Sequence, residues 1–179
     1  MEKKIELKRG GIRYIVVHHS ATDRENTSVE AIRRYHVNNR GFWDIGYHWI
    51  VDKDGNLVKG RSEEFIGAHC AGGSPANNFN SIGICVVGNF EREVPTEKQL
   101  KTLFEFLEKK LRELKLTKDK VLGHLECKPT LCPGKYLMEE ILNWRKKSFG
   151  QSAIKLRIKS EIEKIIDICR GILSDLERL

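Results

Sequence analysis

The apolar positions of this chain fall into two unbroken runs and several periodic stretches, and together they predict alternating strands and helices. Residues 12–18, IRYIVVH, are almost entirely β-branched or aromatic and follow Gly10-Gly11, which reads as a buried strand. SIGICVVGNF, residues 81–90, is a second such run, with glycines near both ends. Between them, GYHWIVDKDGNLVKG predicts a hairpin in which YHWIV pairs with NLVKG across Lys53-Asp54-Gly55, a turn that favours positive φ. Helical spacing takes over elsewhere. Ser28 caps a helix with Val29, Ile32, Tyr35 and Val37 as its apolar positions and a stop at Gly41. Pro95-Thr96 opens a longer one over residues 97–114, with Leu100, Leu103, Phe104, Leu107, Leu111 and Leu114 on one face. Lys120–Leu122 reads as a short strand running toward His124, and Tyr136–Lys147 as a closing helix. Strands alternating with helices predict an α/β fold, a central mixed sheet flanked by helices.

The last stretch differs, which divides the chain into residues 1–149 and 150–179. Ile158, Ile162, Ile165, Cys169, Ile172, Leu176 and Leu179 recur at alternating spacings of four and three, a heptad seam with charges around it. A homo-oligomer through residues 154–179 is one expectation. A helix folded back onto its own domain is the other, which Ile166 and Leu173 keep open by widening the stripe.

Composition narrows the partners. The net charge of +7 favours anionic partners such as wall polymers, nucleic acid or acidic membranes. Basic residues are nevertheless interspersed with acids and form no block or stripe, which argues against nucleic acid. No segment approaches the roughly 18 apolar residues of a membrane span, so membrane insertion is not expected. MEKKIELKRGG carries charges where a secretory signal would carry an apolar core, so synthesis in the cytoplasm is expected. Five cysteines, an odd number without a regular framework, read as reduced thiols, and a metal would compete with Cys127 for Cys132.

The chemistry concentrates in GHLECKPTLCPG, residues 123–134, which sets His124 and Cys132 eight positions apart in a loop stiffened by Pro129 and Pro133. The YIVV run empties directly into His18 and His19. One imidazole from the strand end, a second from the loop and a thiolate would give zinc three protein ligands. That leaves a fourth position for water, the arrangement of a catalytic site rather than a structural one. Alternation puts His18 on the face of Tyr14 and Val16 but does not say which face carries the site.

VVHHSAT, GFWDIGYHWIVDKDGNLVKGR, IGAHCAG, NSIGICVVGNF and GHLECKPTLCPG stand in the order and spacing of the zinc-dependent type-2 N-acetylmuramoyl-L-alanine amidases, which include phage lysozyme-type amidases and animal peptidoglycan recognition proteins. The resemblance covers roughly residues 12–147. It implies a groove that binds peptidoglycan and hydrolysis of the amide between the muramic acid lactyl group and L-alanine. It implies His18, His124 and Cys132 as zinc ligands, with His19 a structural neighbour. It implies that Tyr47 meets the attacking water and the developing oxyanion. Where many phage members have a lysine two residues before the cysteine, this chain has Thr130, a donor without charge. His69 is expected to line the groove, Asn80 and Ser81 to contact the stem peptide, and Trp43 to stack on a sugar or fill the core. Glu126 is a candidate proton shuttle or a helper of loop geometry, and His36 and His48 are expected to be structural. The absence of a signal suggests an endolysin released from the cytoplasm. A peptidoglycan-binding module without catalysis is the alternative.

Overall fold

Two apolar runs long enough to be buried on both faces become the centre of a parallel sheet, whose faces are both covered. The computed structural model describes residues 11–147 and the helical positions 161, 162, 165, 166 and 168–170. Its strands are β1 (Tyr14–His19), β2 (Trp49–Val51), β3 (Leu57–Lys59), β4 (Ser81–Val86) and β5 (Val121–Gly123). They form one mixed sheet in the order β3-β2-β4-β1-β5. β2, β4, β1 and β5 run parallel, and β3 returns antiparallel along the edge. The predicted hairpin is this β2–β3 pair, with Ile50 opposite Val58 and Asp52 accepting from the backbone of Asp54 and Asn56 at its turn.

Alternation along β1 and β4 sorts their side chains between two layers. Ile15, Val17, Ile84 and Val86 face a core built with Leu103, Phe106, Leu107 and Leu111 of α2 (Glu97–Leu114) and with Leu137, Ile141 and Trp144 of α3 (Lys135–Lys146). The opposite face takes Cys85 and Ile50 against Val29 and Ile32 of α1 (Val29–Asn38), and Val16 and Leu122 against Cys70, Ala76 and Cys127. His18 falls on this second face, beyond Val16. α2 begins with a capping box, in which Thr96 accepts from the Gln99 amide and Gln99 accepts from Thr96.

Two helix faces differ from the expected ones. α1 buries only Val29 and Ile32, and Tyr35 and Val37 are exposed. In α2 the buried set includes Phe106 and Gln99, while Leu100, Phe104 and Leu114 are only partly buried. Gln99 is tolerated inside because its amide nitrogen donates to the carbonyls of Asp52 (3.0 Å) and Val87 (2.8 Å). The chain divides into units Met1–Arg145 and Lys146–Leu179. Of the heptad seam, Ile162, Ile165 and Cys169 are helical and exposed, and Ile158, Ile172, Leu176 and Leu179 lie outside the described residues. Among the described residues no helix is long and apolar enough to cross a membrane.

Candidate metal centre

The parallel strands β1 and β5 deliver two histidines to the same edge of the sheet. β1 ends in His18 and His19, and β5 runs into a single 3-10 turn, His124–Glu126. Glu126 builds that turn. Its carboxylate accepts from the Gly123 amide at 2.8 Å and is gripped by both terminal nitrogens of Arg145, which also donates to the Val121 carbonyl. Burial opposes ionisation of Glu126, but Arg145 and the Gly123 amide outweigh it and leave its pKa lowered. A carboxylate so committed is a helper of loop geometry and a poor proton shuttle.

Cys132 is brought back onto β1 by the loop that follows. The His19 amide donates to Cys132 Sγ at 3.4 Å, and the Cys132 amide donates to Thr130 Oγ1 at 3.2 Å. Beyond it, Gly134 adopts φ +89°, and a Cβ there would lie 2.4 Å from the Phe90 carbonyl carbon. That close approach lets the Tyr136 amide reach the Phe90 carbonyl and the Lys135 amide reach Glu91. Gly134→Ala is therefore expected to destabilise the protein by more than about 1 kcal/mol, read as a lower urea midpoint. An unchanged midpoint would show that the loop accommodates a side chain.

His18, His124 and Cys132 each present one donor atom within 4.8 Å of the others. His18 Nδ1 lies 3.6 Å from Cys132 Sγ. A zinc ion with Zn–N of about 2.0–2.1 Å and Zn–S of about 2.3 Å at a tetrahedral angle would separate nitrogen from sulfur by about 3.6 Å. His124 Nε2 is buried without a hydrogen-bond partner, as a donor atom awaiting a ligand would be. Burial, with the imidazoles of His69, His124 and His19, holds His18 well below the usual imidazole range. Burial and Lys128 push His124 down to about 4. Both rings are thus neutral ligands at neutral pH. Burial pushes the Cys132 thiol up to about 12, so this sulfur becomes a thiolate only with a cation beside it.

Tyr47 packs beside this cluster, its ring centroid 5.3 Å from that of His18 and 5.3 Å from that of His36. Burial, then Cys85 and Cys132, holds its phenol well above the usual range, so it is a neutral donor. His19 is structural as expected, since its Nδ1 accepts from the Phe90 amide at 3.2 Å. His36 Nδ1 accepts from the Gly46 amide, and His48 spans the Gly83 amide and the Phe65 carbonyl.

Three expected substrate contacts are placed differently. His69 does not line an open groove. It is 8% exposed, and its Nδ1 stands 3.0 Å from His18 Nε2, behind the candidate ligand. Asn80 and Ser81 lie at the opposite end of the strands, with Ser81 paired to Tyr14 while Cys85 pairs to His18. Ser81 is fully buried with its hydroxyl donating to the Asn77 carbonyl, and Asn80 closes the turn through the Asn77 amide and Pro75 carbonyl. Neither is brought to the cluster. Trp43 is partly exposed and packs against the buried Arg61 guanidinium at 4.6 Å and edge-on to Phe65.

The buried histidines make the protein acid-sensitive. Burial lowers His48 from 6.5 to about 4, so its contribution to stability is complete above about pH 6.5 and is lost as pH falls toward 4. Urea unfolding of metal-free protein is expected to show up to about 3 kcal/mol lost over that window from His48, with the more open His36 adding in the same direction. A flat profile would contradict neutral burial.

Comparison with known proteins agrees with this geometry. The family model described as N-acetylmuramoyl-L-alanine amidase matches residues 8–135. The Drosophila melanogaster peptidoglycan-recognition protein LE is 33% identical over 74% of this chain, which spans 39% of that protein. A structure of that recognition protein in complex with tracheal cytotoxin, a monomeric diaminopimelic acid-type peptidoglycan, superposes with a TM-score of 0.69 at 29% identity, covering 84% of this chain and 91% of that one. The human N-acetylmuramoyl-L-alanine amidase is 33% identical over 79% of this chain, which spans 25% of it. The amidase LysC of Clostridium intestinale has a TM-score of 0.65 at 30% identity, covering 74% of this chain and 84% of that one. With a matching family model over most of the chain, the five-stranded mixed sheet and the His18–His124–Cys132 cluster in place, the chain belongs to the type-2 N-acetylmuramoyl-L-alanine amidase family, whose members here include amidases and peptidoglycan recognition proteins.

Proposed function

We propose that the protein is a zinc-dependent amidase that hydrolyses the bond between N-acetylmuramic acid and L-alanine in peptidoglycan, in the manner of a phage-type endolysin. The observation that carries the reading is the convergence of His18, His124 and Cys132, with nitrogen and sulfur at a tetrahedral separation. Two imidazoles and one thiolate form a borderline-soft donor set that suits zinc, with a coordination position left for chemistry. When bound, zinc supplies a water of pKa near 7 and polarises a carbonyl.

The chain's own side chains do the rest. Tyr47, neutral at working pH, donates its hydroxyl proton toward the reacting oxygen beside His18. Thr130 is exposed, and because its oxygen already accepts from the Cys132 amide, its hydroxyl proton is free to point at a developing oxyanion. The His19 amide steadies the Cys132 sulfur. Affinity of the recognition-protein relatives for peptidoglycan fragments supports the substrate class. A catalytically silent recognition module has the same relatives, but it has no need of a thiol held at ligand distance from an imidazole. Exposed Ile162, Ile165 and Ile166 support self-association through residues 154–179, which would add avidity for a polymer.

Incubation with purified peptidoglycan tests the reaction class. New amino groups without new reducing ends, abolished by a chelator and restored by zinc, are the expected result. New reducing ends would make the protein a glycosidase, and binding with no new groups would make it a recognition module.

A further inference from the structure

We propose that His69 is a positioning residue for the metal centre: its Nδ1 accepts the Nε2 proton of His18 and so fixes the tautomer in which His18 offers Nδ1 as a ligand. The inference rests on the metal reading of His18, His124 and Cys132. His18 has two ring nitrogens with different neighbours. Nδ1 faces Cys132 Sγ at 3.6 Å, and Nε2 faces His69 Nδ1 at 3.0 Å. A neutral imidazole carries one proton and one ring lone pair, so a lone pair on Nδ1 requires the proton on Nε2. His69 then accepts it. The pair is buried, at 1% and 8% exposure, so water does not compete for that proton.

The slot around His69 is built to hold this ring. A Cβ on Gly67 would come 2.4 Å from His69 Cδ2, and one on Gly83 would come 2.5 Å from His69 Cγ. Two glycines, one in mid-strand where a side chain would ordinarily pack, thus leave room for the imidazole between them. Asn78 Oδ1 accepts from the amides of His69 (2.9 Å) and Cys70 (2.7 Å), which fixes the backbone that carries the ring. His48, anchored at both nitrogens, stands edge-on to His69 at 5.7 Å and closes the far side. Rotation of His69 away from His18 would meet this wall. Outer-sphere partners of this type orient a ligand before the metal arrives.

The test compares His69→Leu, which removes the acceptor, with His69→Asn, whose Oδ1 takes the place of Nδ1. Zinc affinity is measured by chelator competition, with circular dichroism as the folding control. His69→Leu is expected to bind zinc about 10–100-fold more weakly, and His69→Asn to stay within about threefold of the parent. Parental affinity in His69→Leu, or equal losses in both variants, overturns the proposal. If neither variant folds, nitrogen-15 spectra of the zinc-free parent protein decide: His18 protonated at Nε2 supports the proposal, and His18 protonated at Nδ1 overturns it. Should the parent itself take up no zinc, the metal reading fails, while the same spectra still answer the question about His69.

Discussion

Cys132→Ser is expected to abolish hydrolysis while leaving capture of peptidoglycan largely intact. The sulfur holds one of three donor positions, 3.6 Å from His18 Nδ1 and supported by the His19 amide at 3.4 Å. A serine hydroxyl is shorter and far less acidic than a thiol, so it neither reaches the same point nor ionises there. Loss of an outer-sphere partner typically costs about 10–100-fold in metal affinity or activity, and loss of an inner ligand should exceed that. The fold should survive, because Cys132 is only partly buried and the loop is anchored on either side by the Gly123–Glu126–Arg145 contacts and by Gly134. Zinc content, thermal melting and peptidoglycan pull-down of the variant separate the three effects. Full activity without zinc would end the metal mechanism.

Tyr47→Phe is the second large effect, and it should fall on turnover rather than on the metal. The ring would remain between His18 and His36, so packing is retained, but the neutral hydroxyl would be gone. Removal of one preorganised oxyanion donor typically lowers kcat by about 10²–10³-fold. Zinc affinity and the melting temperature are expected to stay near the parent's. A kcat within about threefold of the parent would leave Thr130 or the metal as the stabiliser of the oxyanion and make Tyr47 a packing residue.

These roles divide along the line between periodic and aperiodic sequence. YIVV and ICVV are continuous apolar runs because β1 and β4 sit at the centre of a parallel sheet, and that burial on both faces is legible without coordinates. The boundaries of α2 are equally legible, since the Thr96–Gln99 capping box and the leucine spacing agree. The ligand trio and Tyr47 came into view through motif order, and the structure brings those four residues together. Residues 61–80 behave differently. That segment has no period, and its course is set by side-chain-to-backbone bonds such as Asn78 to the amides of His69 and Cys70. His69 and Asn80 therefore could not be placed from spacing: His69 was expected to line the groove and Asn80 to contact the stem peptide, whereas the fold buries the first and sets the second at the far end of the strands. Gln99 was hidden for a related reason: its burial depends on carbonyls of Asp52 and Val87 that are distant in sequence. Gly83 carried a signal for His69, because a glycine inside a β-branched run marks a close approach.

Mass spectrometry of the soluble products of purified peptidoglycan, with and without a chelator, tests the central claim most directly. The account predicts intact stem peptides beginning with a free L-alanine amine, absent when zinc is removed and restored when it is returned. Peptides released with the muramic acid still attached, or the same products in the continued absence of metal, would contradict it.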